Sequence, residues 1–136
     1  MSEELVQLLQ ELNKDRPYTI DMDRFMDTML MVMDENDPGQ QFIQLFVREC
    51  DRDIRKLHEL INEEGTVLRE AEVRTLCHAL VGRCAQMGAI ELERQVRELH
   101  WNIKLGQLDR NELGNIEDEW QKLRNAFIVS ATLQRA

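Results

Sequence analysis

Basic charge is in short supply along this 136-residue chain. Its 17 lysines and arginines stand against 26 aspartates and glutamates, a formal net charge of −9 with a pI near 4.8. A nucleic-acid binder normally carries a basic face that neutralises phosphates, and docking on an anionic membrane uses a polybasic patch, so neither partner is expected. No apolar run approaches the roughly 20 residues that a membrane-spanning helix needs. The opening segment, MSEELVQLLQEL, is acidic and amphipathic, unlike a secretory signal or an Arg-rich transit peptide. Cysteine is limited to Cys50, Cys77 and Cys84, an odd number at spacings that imply no disulfide framework. A reducing compartment, cytoplasmic and nuclear, is the expectation.

Other absences narrow the chemistry. There is no GxxxxGK[ST] loop and no strand to carry one, so autonomous kinase or ATPase activity is not expected. Ser2 and Ser130 are the only serines, and neither has the setting of a nucleophile elbow, which excludes a triad hydrolase. His58, His78 and His100 lie 20 and 22 residues apart, with no CxxC, HxxxH or ExxH pair, so no metal site is expected.

What is present is apolar side chains at helical spacing. Hydrophobic residues make up 43% of the chain and charged ones 32%, enough for one domain with a core and a solvated surface. The two prolines and six glycines fall almost entirely at joints. Leu5, Leu8, Leu9 and Leu12 predict a short first helix ended by Asn13 to Pro17. Phe25, Met26, Met29, Leu30 and Met33 predict a second, capped by Thr19 or Asp21. Asp37-Pro38-Gly39 breaks the chain and starts a third, which runs to about Glu63 along Phe42, Leu45, Phe46, Cys50, Ile54, Leu57 and Ile61. Gly65 and Thr66 read as stop and cap ahead of a fourth helix lined by Val73, Leu76, Leu80, Cys84 and Met87. After a joint near Gly88, Leu92, Val96, Leu99 and Ile103 mark a fifth helix that ends at Gly106. Asp109 with Glu112 resembles a capping box for a sixth, whose core side is Leu113, Ile116, Trp120, Leu123 and Phe127. Short connections between long helices favour antiparallel neighbours. The expected fold is therefore all-α: an up-and-down four-helix bundle over 38–135, with two short helices in 1–36, forming a single domain over 1–136. No spare heptad seam suggests obligate pairing, so a monomer is expected.

One histidine stands out. His58 reads as a surface residue among Arg55, Lys56 and Glu59, and His100 as a half-buried one beside Leu99 and Trp101. His78 lies about 200° around its helix from both Leu76 and Leu80, opposite the core stripe. Arg74, Val81, Gly82 and Gln86 share its face. Glycine inside a helix costs about 1 kcal/mol relative to alanine. Its use on an exposed face one turn from a histidine indicates close approach of something to the backbone. The stretch from Thr66 to Gln86 carries a net charge of +1 while the other residues carry −10, so a phosphoryl group added here would not meet strong repulsion.

From His78 to Ala89 the string HALVGRCAQMGA resembles the signature of histidine-containing phosphotransfer (HPt) domains, H-x-L-K-G-S-S-x-x-x-G-A, with His78, Leu80, Gly82, Gly88 and Ala89 in register. The order of helices, FIQLFVRECDRDIRKLHELI in the third and EDEWQKLRNAF in the last, is similar to the plant-type HPt proteins of cytokinin phosphorelays. The resemblance covers essentially the whole chain. It implies that His78 accepts a phosphoryl group from the receiver-domain aspartate of a hybrid sensor kinase and passes it to the receiver aspartate of a response regulator. It also implies no cofactor of its own, with Mg²⁺ on the partner receiver, Gly82 admitting the receiver loops, and docking through Val81 and Ala85. Three positions depart from the signature: Val81 replaces the usual lysine, and Arg83 and Cys84 replace small serines. Arg74 or Arg83 is expected to replace the lysine, Gln86 to lend support on the same face, and Cys84 to be a small core residue. The alternative implied by Val81 is a pseudo-HPt that binds receivers without transferring phosphate. Arg97 and His100 on the next helix are candidates to orient His78.

Overall fold

Steps of three and four between apolar residues give helices, and the glycines and capping residues between them set the joints. The computed structural model describes residues 3–33, 39–62 and 70–135, which form six helices. These are α1 (Glu3–Leu12), α2 (Met22–Val32), α3 (Gln40–Asn62), α4 (Glu70–Met87), α5 (Ile90–Lys104) and α6 (Asn111–Arg135). No strand occurs among the described residues. Helices α3, α4, α5 and α6 close a ring in which each packs on the next and α6 returns to α3, while α1 lies on α6 and α2 on α4. This is the expected all-α bundle with two added helices. The expected Asp37 cap with Pro38, and the Gly65 stop with the Thr66 cap, lie outside the described residues.

The core stripes are mostly those the spacing predicts, with two shifts. In α3, Leu45 is 40% exposed and Ile43 is buried in its place, which continues as Phe46, Cys50, Ile54, Leu57 and Ile61. In α4 the buried set is Val73, Cys77, Leu80, Cys84 and Met87, a 4-3-4-3 step, and Leu76 sits half-buried on the α3 flank beside Lys56 and Leu60. Steps of 4 and 3 average 3.5 residues and keep the stripe on one face, so Cys77 and not Leu76 faces inward. The aromatic centre is tight: Phe46 meets Trp120 edge-on at 5.7 Å and Phe127 at 5.9 Å, and Phe25 of α2 lies 6.2 Å from Phe127. Asp51 of α3 accepts hydrogen bonds from Trp120 Nε1 at 2.7 Å and from Arg124 Nε at 3.0 Å, which ties α3 to α6.

Local chemistry explains the joints. Asn13 clamps the loop after α1: its Nδ2 donates to the Ile20 carbonyl at 2.7 Å and its Oδ1 accepts from the Ile20 N–H at 3.1 Å. Asp21 caps α2 by accepting from the Arg24 N–H at 3.2 Å. The carbonyls at the end of α4 have no partners within their own helix. The turn after α4 and helix α2 share in supplying them. The Ala89 N–H donates to the Cys84 carbonyl, Arg24 to that of Ala85 and Thr28 to that of Gln86. The Asp21 N–H at the α2 cap donates to the Gly88 carbonyl in the turn. The capping box expected for α6 is only half formed. Asp109 accepts from the Asn111 N–H at 2.9 Å, but the Glu112 carboxylate accepts from Asn102 of α5 at 2.6 Å instead of turning back.

Candidate functional site

Helix α4 is held on three sides, by α3, α5 and α2. Cys77 points into the core, and the 100° step to the next residue carries His78 out to solvent. Gly82, one turn further on the same face, is also exposed, and a Cβ built there would meet nothing within 4 Å. No internal packing demands that glycine. Val81 is half-buried against the core, Ala85 is half-buried, and Arg74 and Gln86 are exposed.

On the α5 side a hollow of about 450 Å³ opens beside His78. Helix α4 contributes Cys77, His78 and Val81, and α5 contributes Arg97, Glu98, His100 and Trp101. Trp101 is 61% exposed, a large apolar surface left to solvent at the edge of the hollow. His100 is half-buried, and its Nε2 is enclosed without a hydrogen-bond partner. Burial pushes its pKa below the ordinary imidazole value of 6.5, and the Lys104 and Arg74 cations push the same way. His100 is therefore neutral at pH 7.

Arg97 and Glu98, the two charged residues lining the hollow, are each ion-paired along α5. Arg94 holds Glu98 at 2.6 Å, and Arg97 Nε reaches Glu93 at 3.1 Å. Arg74 and Lys104 place positive charge near His100, partly offset by Glu70. Arg83 does not join them. Its Nε lies 2.8 Å from Glu49 Oε2 and its Nη1 bonds the buried Asp53, so the guanidinium is committed to α3 on the other flank. Of the two arginines expected to replace the missing lysine, only Arg74 stays on the His78 side.

The thiols offer no competing nucleophile. Cys50, Cys77 and Cys84 are all free and buried. Burial raises the Cys77 thiol to about 11 and that of Cys84 to about 12, and Cys50 higher still, so all three stay protonated at neutral pH. Cys84 is the small core residue its position suggests. Among the described residues no group of three or more His, Cys, Asp or Glu side chains could hold a metal ion. No helix among them is long and apolar enough to cross a membrane.

Trp101 and the cationic side of α5 carry little signal in the sequence read helix by helix. They become legible from register: with Leu92, Val96, Leu99 and Ile103 inward, Arg97, Trp101 and Lys104 share an outward stripe at steps of four and three.

No family model matches this chain, and no curated protein matches it in sequence. Solved structures do match in shape. The maize histidine-containing phosphotransfer protein ZmHP2 superposes with a TM-score of 0.80 at 23% identity, covering 98% of this chain and 96% of that one. A rice protein assigned as a histidine-containing phosphotransfer protein gives 0.76 at 20% identity, covering 98% and 94%. What is shared at this identity is the six-helix fold over the full length.

Proposed function

We propose that this chain is a phosphocarrier in which His78 receives a phosphoryl group from a receiver-domain aspartate and passes it to another. The carrying observation is the exposed imidazole midway along α4 with open space over Gly82 one turn away. In the transfer a ring nitrogen of His78 attacks the phosphorus of the aspartyl phosphate. The N–P bond forms as the P–O bond breaks, the aspartate leaves as a carboxylate, and the other ring nitrogen keeps its proton. Such a step depends on alignment and charge neutralisation more than on covalent help from the protein. A helix fixed by its neighbours supplies alignment, and Arg74 and Lys104 neutralise arriving charge. The partner receiver supplies Mg²⁺ and its own acidic pocket. Hybrid sensor kinases and response regulators are the proposed partners, in cytoplasm and nucleus.

Val81 favours a second reading, a non-transferring protein that binds receivers, because an apolar residue stands where the resembling signature carries lysine. One experiment separates the two. A receiver domain loaded with labelled phosphate is mixed with this chain in Mg²⁺. Acid-labile, base-stable label on wild type and none on His78→Gln supports the carrier. Tight receiver binding without label supports the second reading.

A further inference from the structure

The face of the bundle opposite His78 carries a second candidate surface. Between α3 and α6 lies a hollow of about 390 Å³ with an apolar floor of Ile43, Val47, Phe127 and Ile128. It shares Asp51 and Arg55 with a second, more polar hollow reaching His58 and Glu117. Together they form one groove along α3 from Gln40 to His58, roughly 27 Å at 1.5 Å per residue. That length suits a helix laid along the groove better than a compact small molecule.

The rim is basic on a chain whose net charge is −9. Arg48, Arg52 and Arg55 line the apolar hollow at helical steps of four and three. Arg48 and Arg55 make no ion pair among the described residues. Arg52 reaches only Asp53, at 3.4 Å, which Arg83 already holds. The one acid lining that hollow, Asp51, is matched by Trp120 and Arg124. An apolar floor beside the unmatched guanidinium groups of Arg48 and Arg55 is complementary to a helix with one apolar stripe flanked by carboxylates.

We propose that the α3–α6 groove is a second protein-binding surface, which takes an acidic amphipathic helix of a partner. It does not depend on phosphotransfer, because His78 and Gly82 lie on the other side of the bundle.

The test uses the full chain and a dye-labelled synthetic helix of about 20 residues, with leucines at steps of three and four and glutamates flanking them. A second peptide carries lysine at every glutamate position. Fluorescence anisotropy should show the glutamate peptide binding at least about tenfold more tightly than the lysine peptide, with affinity falling as salt rises. Arg48→Glu with Arg55→Glu should lose about tenfold or more while keeping the wild-type helical spectrum and melting temperature. His78→Gln should bind as wild type does. Equal affinity for both peptides, or undiminished binding by the double variant, would overturn the proposal. So would saturable binding of decanoate without the peptide, which would give the groove to a small amphiphile. Dimerisation lost in the double variant would give it to a second copy and overturn the proposal equally.

Discussion

Two glycines six residues apart on α4 and its exit match the same signature and are held by opposite circumstances. Gly88 makes the turn into α5 with φ +82°, and a Cβ there would lie 2.6 Å from the Asp21 carbonyl oxygen and 3.2 Å from the Phe25 nitrogen. Its own carbonyl accepts from the Asp21 N–H at 2.7 Å, so the turn is also the seat of α2. Gly82 has ordinary helical conformation and open space where a side chain would go. The fold requires the first and tolerates anything small at the second. A motif can therefore mix positions kept by packing with positions left open to a partner, and only surroundings tell them apart.

The sharpest way to break this contrast is Gly88→Ala. A left-handed backbone costs a side-chain-bearing residue about 1–2 kcal/mol, and the contact with the Asp21 backbone adds to it. We expect a loss of about 3 kcal/mol, seen as a fall of roughly 10 °C in melting temperature by circular dichroism. Unchanged melting would mean that α2 is not seated on this turn.

Next come the arginines. Arg83→Ala leaves the buried Asp53 with only the longer Arg52 contact and should cost about 2 kcal/mol in a denaturant titration while leaving the phosphotransfer rate of the folded protein unchanged. Arg74→Ala should do the reverse, slowing transfer up to about tenfold with stability within about 0.5 kcal/mol of wild type. Slow transfer in Arg83→Ala would reverse these assignments.

Gly82→Ala is the counterpart to Gly88→Ala and should raise stability by up to about 1 kcal/mol, because alanine is the better helix former. The same variant should bind receiver domains more weakly in a calorimetric titration. A stabilised protein with unaltered receiver affinity would remove the reason for the glycine.

The smallest effect concerns pH. His100 has its pKa lowered in the folded state, so below about pH 6.5 the unfolded chain takes up the proton more readily and stability falls. Melting temperatures at pH 7.5 and 5.5 should differ less in His100→Asn than in wild type. Equal differences would mean that His100 contributes no linkage.

The helices and nearly all their inward faces could be read from spacing, because burial on one side imposes a period that the sequence must repeat. Leu45 and Cys77 mark where that reading slips: both Leu45 and Ile43 fit the α3 period, and a cysteine is easily passed over beside Leu76. His78 and Gly82 were legible for the opposite reason, as residues that contradict the core stripe. Arg83 was not, since a long side chain turns toward whichever flank offers carboxylates, and Glu49 and Asp53 belong to another helix. Trp101 was hidden in the same way, because its significance comes from α5 facing α4.

In a His78 phosphocarrier the phosphoryl group resides on His78 and on no other side chain. The direct measurement is to load the chain from a phosphorylated receiver domain, record its ³¹P spectrum, and map the modified residue by fragmentation mass spectrometry. A single phosphoramidate is expected, on the peptide containing His78 and absent from His78→Gln. Phosphate on His58, His100 or a carboxylate, or label that survives in His78→Gln, would contradict it.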